Sequence, residues 1–384
     1  MLQMVRKTST GRRLLLILLI APNLRSVILA VPTVLPQVRA DLHLTFAEAG
    51  ALTSLPVLCL GLAAVPGALF TNRYGARLVI GLTSIGLGVG GILRLLPPPL
   101  LGLFTGTLLL SVCIAMCQPA ASSLIRGWFP GSVQRASVLY TLALNLGGVA
   151  GATVTVFLVA VWGWRGTFVL WALPALLAGL AWIVLAPKDD DTTGDPPRVR
   201  TLLREPGVWR AAGLFASQSL IYFTATTWLP FLLQSRGRGM VALALALMGL
   251  SVMAAGMGLA LWGRPYASRP AFYVVAGLLS AGGALGLAAG PQDWAWVCAA
   301  TLGLGSGLGF TGSMALPPTL AAPSAVAGYS ALMLTAGYAL AFVGPYAGGL
   351  LADATGSVRA PFALLVVSAA AMVALGLSLS RARS

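Results

Sequence analysis

The sequence predicts an all-α integral membrane protein, with twelve transmembrane helices arranged as two pseudo-symmetric six-helix bundles. Hydrophobic residues make up 58% of the 384 residues, charged residues only 9%, and the mean hydropathy is +0.90. A soluble domain carries about 25% charged residues, so this composition excludes a soluble globular protein. The apolar runs are long, continuous and rich in Leu, Ala and Gly, which favours helices over the short alternating strands of a membrane β-barrel.

Twelve apolar segments have about the 20 residues that a helix needs to cross a bilayer. We place them at 14–38, 46–70, 78–96, 101–125, 135–161, 166–186, 208–234, 240–262, 271–290, 294–316, 325–351 and 359–380. The connecting loops are short apart from one polar stretch. This stretch predicts an N-terminal bundle at 1–186, a cytoplasmic linker at 187–206 and a C-terminal bundle at 207–384.

The distribution of Lys and Arg predicts the orientation of the chain in the membrane. If the N-terminus is cytoplasmic, the cytoplasmic segments hold 17 Lys and Arg residues and the external segments hold six. This excess agrees with the positive-inside rule and places both termini in the cytoplasm. The net charge of +15 does not indicate nucleic-acid binding, because the charges are scattered at the ends of apolar runs without a basic stripe. We therefore expect a lipid bilayer and no nucleic acid as partner.

The remaining composition indicates neither an enzyme nor a cofactor-binding protein. The four cysteines all lie within apolar runs, so no disulfide framework is predicted. No nucleophile, metal-ligand set or acid–base pair appears, and we expect no cofactor, no metal and no enzymatic activity. The first apolar run continues too far for a signal peptide and lacks a small-residue cleavage site, which predicts that it is retained as the first span.

The two halves of the chain repeat weakly. Leu35-Pro36 near the end of the first span matches Leu229-Pro230 near the end of the seventh. Two parallel six-helix repeats are typical of transporters whose substrate site lies near the midplane between the halves. In this register Arg25 corresponds to Ser219, so a charge in the first half has no counterpart in the second.

Arg25 is the only charged side chain well inside an apolar run, and it is the main candidate for substrate binding. A charge at the bilayer centre costs about 2.5–3.5 kcal/mol on insertion scales, so such a residue is a functional-site hypothesis. Arg25 lies roughly 16 Å into its span at a rise of 1.5 Å per residue. Its planar fork of donors suits the oxygens of a carboxylate, cyanate or nitro group. The alternative is a structural arginine that donates to backbone carbonyls.

Polar and aromatic side chains on other spans are candidates to complete this site. Every one of them could instead form interhelical hydrogen bonds or packing contacts. The candidate substrate-binding residues beside Arg25 are Asn23, Gln118, Tyr140, Asn145, Gln218, Tyr222, Trp228, Tyr329 and Tyr338. A mostly neutral, aromatic pocket around one arginine would suit a small monoanion.

Polar residues near the predicted cytoplasmic ends of the N-terminal half are candidates for gating. They can serve topology and lipid headgroup contact, or they can form a cytoplasmic latch. The residues in this set are Asn72, Arg73, Arg77 and Arg126.

Two pairs of residues near the end of the eleventh span and just after it can each have one of two roles. Gly344 and Pro345 could provide bending for gating or allow close helix packing. Asp353 and Arg359 flank the last external loop, and we expect an ion pair between them or separate anchors.

These residues lie in motifs that resemble those of major facilitator superfamily transporters, most closely the cyanate permease and 2-nitroimidazole transporter group. The resemblance spans all twelve helices. The motifs that carry it are Asn23-Leu24-Arg25, Leu35-Pro36, the segment 118–130 (QPAASSLIRGWFP), Gly163-Trp164-Arg165, Gly337-Tyr338, Gly344-Pro345 and Asp353-x-x-Gly356. Two positions depart from the pattern: Asn72 stands where the superfamily usually has Asp, and Gln118 stands where this group usually has Asn.

The resemblance implies a secondary transporter that works by alternating access as a monomer in the bacterial inner membrane. We expect a small anionic, cyanate-like solute, with Arg25 as its charge partner. One alternative is export of neutral nitroimidazole-like drugs, with Arg25 binding the nitro group. Another is a transporter-like membrane sensor, although the longest loop, of about 20 residues, is short for an output domain.

The energy source for transport stays open at this stage. Proton-coupled carriers usually keep a carboxylate within the membrane, and no predicted span contains an acidic residue well inside it. Three options remain, namely facilitated diffusion, anion exchange, and uptake with a proton that a weak-acid substrate carries. Import and export are also both open.

Overall fold

The structure is a computed structural model that describes residues 2–187, 202–262, 266, 269–321 and 325–379. Every regular element in these ranges is a helix, which confirms the predicted class. Apart from their ends, helices satisfy backbone N–H and C=O groups within one segment, which the apolar membrane interior requires.

The first half of the chain forms seven of these helices in its described residues. They are α1 (Leu2–Ile20), α2 (Asn23–Leu42), α3 (Phe46–Leu62), α4 (Ala64–Tyr74), α5 (Ala76–Leu93), α6 (Pro99–Trp128) and α7 (Val133–Leu185). Helices α3 and α4 follow one another across a bend of 51°, and the two together are long and apolar enough for one span. Helix α7 contains two predicted spans, which meet at Gly163. This residue has φ 61°, a left-handed conformation that glycine adopts without steric cost.

The second half forms α8 (Pro206–Leu233), α9 (Arg238–Trp262), α10 (Pro270–Ala289), α11 (Ala295–Ala315), α12 (Pro317–Leu320), α13 (Val326–Ala341), α14 (Val343–Thr355) and α15 (Pro361–Ser378). Several begin with proline, whose missing N–H costs nothing in the first turn of a helix. Helix α14 is followed by Gly356, which is left-handed with φ 65°.

Each predicted span coincides with one helix, a helix pair or one arm of α7. By length and composition alone, the described residues contain eight helices that could cross a membrane, or nine if the bent pair α3 and α4 counts as one. Helices α8 and α11 are long enough but are not among these eight. Their polar and small residues, such as Gln218 on α8 and Ser306 on α11, lower their hydropathy.

The chain forms two compact units. The first unit contains the described residues of Met1–Ala30, Leu62–Gly151 and Leu158–Pro196. The second contains those of Val31–Gly61, Ala152–Phe157 and Pro197–Ser384, so most of α3 packs with the second half of the chain. Most of the predicted linker, residues 188–201, lies outside the described residues.

Candidate functional site

Arg25 lies at the start of α2 in the first unit, just after a break in the helix. Helix α1 ends at Ile20 and α2 begins at Asn23. The Asn23 Nδ2 donates a hydrogen bond of 2.9 Å to the carbonyl of Leu19, so its amide joins the two helices across the break. Arg25 follows two residues later and is half-buried.

Arg25 contacts Asn145, a second predicted site residue, on α7. Its Nη1 donates a hydrogen bond of 2.8 Å to Asn145 Oδ1. Gly148 lies less than one turn further along α7 and borders the Arg25 side chain. A methyl group at Gly148 would lie 3.1 Å from Arg25 Cγ and 2.9 Å from Leu29 Cδ1. The glycine therefore leaves the room that the arginine side chain occupies, and the asparagine orients the guanidinium.

Tyr140 brings a hydroxyl group to the same region. This hydroxyl is buried and has no hydrogen-bond partner among the described residues. It lies close enough to Arg25 and to Cys117 for electrostatic interaction with both. Gln118, the next residue on α6, is half-buried, and its backbone carbonyl accepts a hydrogen bond of 3.1 Å from Ser122 Oγ. A buried hydroxyl without a partner costs about 1–3 kcal/mol, so this group is suited to a polar ligand.

The charges of the first unit have one sign. Neither Asp nor Glu occurs among its described residues, which include Arg25 and several other arginines. The net charge of the described residues of this unit is therefore positive.

Arg94 is a buried cation of the first unit, although its position in the sequence predicted an external charge. It is only 1% exposed. Its Nε donates to Thr107 Oγ1 at 3.0 Å, and its guanidinium lies 4.7 Å from the ring centre of Phe168. Its Nη1 and Nη2 have no hydrogen-bond partner in the described part of the chain. Its position within the predicted span 78–96 was the signal that could have identified it.

In the second unit, two predicted tyrosines belong to a group of aromatic rings. Tyr338 lies edge-on to Phe215 with ring centres 4.8 Å apart, and Phe223 lies 6.5 Å from Tyr338. Tyr222 contacts Phe223 at 5.5 Å. Phe215 and Phe223 were not among the candidates predicted from the sequence, although their positions on α8 beside Gln218 and Tyr222 could have indicated them.

Gln218 is engaged in packing inside the second unit. It is 3% exposed, and its Nε2 donates to Ser219 Oγ at 2.6 Å. Its backbone carbonyl accepts a hydrogen bond of 3.2 Å from Ser306 Oγ on α11. The side-chain amide therefore bonds within α8, and the contact with α11 is made by the backbone carbonyl.

Trp228 and Tyr329 lie in other parts of the second unit. Trp228 is fully buried, with its ring centre 5.9 Å from that of Phe46 and 5.2 Å from that of Phe231. Tyr329 is 1% exposed, and its hydroxyl faces Gly207 at the start of α8. Tyr329 and Tyr338 are nine positions apart on α13, which is roughly 14 Å along the helix axis.

The predicted gating residues lie near helix ends of the first unit and within α14 of the second. Arg77 donates from Nε to the carbonyl of Ala186 at 2.9 Å and from Nη2 to that of Ile183 at 2.8 Å, so it caps the end of α7. Arg73 lies 5.3 Å from the ring centre of Tyr74. The others are placed as follows: Asn72 is half-buried near the end of α4, Arg126 is exposed near the end of α6, and Gly344 and Pro345 are buried in α14 against α8 and α3.

Of the two alternatives for Asp353 and Arg359, the structure shows separate anchors and not an ion pair. Asp353 accepts hydrogen bonds from the backbone N–H groups of Phe46 at 2.9 Å and Ala47 at 2.8 Å. Arg359 Nη1 donates to the carbonyls of Ala288 at 3.3 Å and Gly290 at 3.4 Å. Both side chains thus bind helix ends, where unpaired backbone groups and the helix dipole favour charges of these signs.

Two curated proteins of Escherichia coli strain K12 are similar to this chain along most of its length. The 2-nitroimidazole transporter is 29% identical over 376 residues, which cover 95% of this chain and 94% of that protein. The cyanate transport protein CynX is 29% identical over 356 residues, with 90% and 91% coverage. These similarities confirm the resemblance seen in the motifs.

Solved structures and a family model give the same result for the fold. A bacterial homolog of the human lysosomal transporter Spinster, in an inward-facing and occupied conformation, matches with a TM-score of 0.80. Its identity is 16%, and the match covers 98% of this chain and 97% of that one. The model of the Major Facilitator Superfamily matches residues 14–345. The chain therefore belongs to the Major Facilitator Superfamily and is a multi-pass membrane transporter, a secondary transporter and not an enzyme.

Proposed function

We propose that this transporter moves a small monoanion and that Arg25 binds its charge. The observation that supports the proposal is the hydrogen bond from Arg25 to Asn145, with the partnerless hydroxyl of Tyr140 beside it. The three groups belong to one compact unit and come from two helices, α2 and α7.

The chemistry of this set fits an anion with few atoms. A guanidinium offers several N–H donors in one plane, which suits the paired oxygens of a carboxylate or the terminal atoms of cyanate. Asn145 Oδ1 accepts from one of these donors and fixes the plane. The Tyr140 hydroxyl can donate a further hydrogen bond to the same solute. A single charge match with neutral neighbours favours a monoanion over a dianion.

We propose that the Arg25 site works by alternating access. The solute reaches Arg25 from alternate sides of the bilayer as the two halves of a monomer move. The positive-inside distribution of Lys and Arg supports cytoplasmic termini in a bacterial inner membrane.

Uptake into proteoliposomes tests the role of Arg25. Cyanate, formate and nitrate serve as labelled probes, with wild type, Arg25→Ala and Arg25→Lys compared. A hydrogen bond to a charged group contributes about 1.5–3 kcal/mol, so Arg25→Ala should lose about tenfold to 100-fold in uptake. Arg25→Lys should restore little, because an ammonium cannot reproduce the planar fork. Arg165→Gln is the matched control, since it removes an exposed arginine from the same unit.

Two results would contradict the proposal. One is wild-type uptake of every transported anion by Arg25→Ala. The other is an equal loss of uptake in Arg165→Gln, which would point to a general effect of charge on the unit. Uptake from anion-loaded and empty vesicles, at two external pH values, then separates exchange, facilitated diffusion and entry of the protonated acid.

Transport of a neutral nitroaromatic compound is the second candidate function. The aromatic group of Tyr338, Phe215 and Phe223 favours it, because such rings can stack on a heteroaromatic solute. The 29% identity to the 2-nitroimidazole transporter supports it as well. Labelled 2-nitroimidazole in the same vesicles decides between the two, since this candidate requires its transport by wild type and no transport of the three anions.

A further inference from the structure

We infer that Asp353 is a latch that holds α14 against the start of α3 and keeps this side of the transporter closed. Both helices lie in the second unit. The inference rests on the proposed alternating-access cycle, but it does not depend on which solute is carried. The side in question carries the loops at 43–45 and 356–360, and it is the external side in the proposed orientation.

The latch consists of one carboxylate bound to two backbone donors. Asp353 Oδ1 accepts from Phe46 N at 2.9 Å, and Oδ2 accepts from Ala47 N at 2.8 Å. These donors belong to the first turn of α3, where N–H groups have no partner within the helix. A negative charge there also interacts favourably with the helix dipole.

The helix start of α3 has its own cap, which does not use these donors. Glu48 Oε2 accepts from Thr45 N at 2.8 Å, and Thr45 Oγ1 accepts from Glu48 N at 3.1 Å, which is a capping box. The N–H groups of Phe46 and Ala47 remain available beyond this local cap. Asp353 therefore satisfies the donors that the capping box leaves, although it lies 307 residues away from Phe46 in sequence.

Close backbone contacts continue from the latch along α3. A side-chain carbon at Gly349 would collide with the carbonyl of Phe46, and one at Gly50 would collide with the carbonyl of Pro345. One at Gly61 would lie 2.9 Å from the carbonyl of Thr335. From Gly50 to Gly61 this contact covers roughly 16 Å of α3 at 1.5 Å per residue. We call this contact the glycine seam.

The contact joins helices from opposite halves of the sequence, and this makes it a candidate for a reversible element. In alternating access the two halves separate on each side of the membrane in turn. Asp353 is exposed, so water can replace its partners when the helices separate. The charge–dipole attraction falls off within the first turn of a helix, so it acts only in the closed arrangement. Asp353 thus stabilises one state of the cycle selectively.

The reporter for this state is a cysteine buried in the glycine seam. Ser54 is fully buried and lies one turn after Gly50, on the face of α3 that leads to Gly61. The Ser54→Cys variant is made after Cys59, Cys113, Cys117 and Cys298 have each been replaced by Ser. A membrane-impermeant maleimide is then applied to proteoliposomes without added solute. Its labelling rate follows the fraction of molecules in which the seam is open.

Three substitutions are compared in this reporter. Asp353→Asn removes the charge and one acceptor. Ala47→Pro keeps Asp353 but removes one of its donors, at a first-turn position that tolerates proline. Asp293→Asn is the matched control, an exposed acid of the same unit that pairs with Arg236 at 2.9 Å.

If Asp353 is a latch, Asp353→Asn should label roughly tenfold faster, because the loss of a hydrogen bond to a charged group changes an equilibrium constant by about tenfold. Ala47→Pro should give a smaller increase, because it removes only one of the two donors. Asp293→Asn should label like the parent. Equal labelling of Asp353→Asn and parent overturns the latch, and so does equal acceleration by Asp293→Asn. If Asp353→Asn fails to give a monodisperse protein, Ala47→Pro decides alone, and its failure to accelerate labelling overturns the inference. The readout involves no solute, so it is independent of the anion proposal.

Discussion

The guanidinium of Arg25 donates from Nη1 to Oδ1 of Asn145 at 2.8 Å, across 120 residues of sequence. This bond joins the start of α2 to the middle of the first arm of α7. It orients a charged group that would otherwise be costly in an apolar surrounding. Because Asn145 contacts the guanidinium directly, a substitution at position 145 can change the charge beside Arg25 while the arginine stays in place.

Asn145→Asp should reduce anion transport more than Asn145→Ala does. The aspartate would place a carboxylate against Arg25 and compete with the solute for its charge. We expect KM for a transported anion to rise about tenfold to 100-fold for the aspartate, and only a few-fold for the alanine. Initial rates of uptake over a range of anion concentrations measure this difference. A lower KM for Asn145→Asp than for Asn145→Ala would contradict the role given to Arg25.

Gly148→Ala should displace the Arg25 side chain. The added methyl group would lie 3.1 Å from Arg25 Cγ and 2.9 Å from Leu29 Cδ1, and both are tight contacts. We expect uptake to fall by about tenfold, because a small misplacement of a binding group lowers rates strongly. Gly131→Ala is the control, since a methyl group there meets no atom within 4 Å. Similar uptake by the two variants would show that the space at Gly148 is unimportant.

Tyr140→Phe should separate stability from function. Removal of a buried hydroxyl without a partner should leave the melting temperature unchanged or raise it slightly. Anion uptake should nevertheless fall several-fold, since the hydroxyl is proposed to bind the solute. Tyr74→Phe, at an exposed position of the first unit, should change neither quantity. A drop in melting temperature with normal uptake would assign Tyr140 to structure alone.

Arg94 and Thr107 should show energetic coupling in a double-mutant cycle. Thr107→Val removes the acceptor of Arg94 Nε in a buried position, and we expect a loss of about 1–3 kcal/mol in stability. Arg94→Met replaces the buried charge by an apolar chain of similar length and should be neutral or stabilising. In the Arg94→Met background, Thr107→Val should lower the stability by almost nothing. Thermal unfolding of the four proteins in one detergent provides the measurement, and additive effects would argue against the coupling.

The sequence located some site candidates for a physical reason that needs no structure. A polar side chain in an apolar span is costly, so Arg25 and Asn145 stand out wherever they lie. The same reasoning failed for Arg94, because a residue near the end of a span is equally compatible with the interface. It also failed for Phe215 and Phe223, since aromatic residues are common in apolar helices and their grouping around Tyr338 depends on how α8 and α13 pack.

Asp353 illustrates why a charged residue in a loop is hard to assign. Arg359 is close in sequence and opposite in charge, so an ion pair was one of the two alternatives beside separate anchors. The structure offers Asp353 the unpaired N–H groups of Phe46 and Ala47, which adjoin it only because α3 packs on α14. Proximity in sequence therefore did not identify the partner of Asp353.

By itself, the sequence determined that this chain is a helical membrane protein with an arginine in its first apolar run, and its motifs indicated a transporter of the major facilitator type. Hydropathy and the number of apolar runs suffice for the helical membrane class, since the bilayer admits few other structures. The tertiary structure decided which groups meet, namely Arg25 with Asn145, Arg94 with Thr107, and Asp353 with the start of α3. These pairs depend on the rotation and approach of helices far apart in sequence, which are set by packing at small residues such as Gly148 and Gly349.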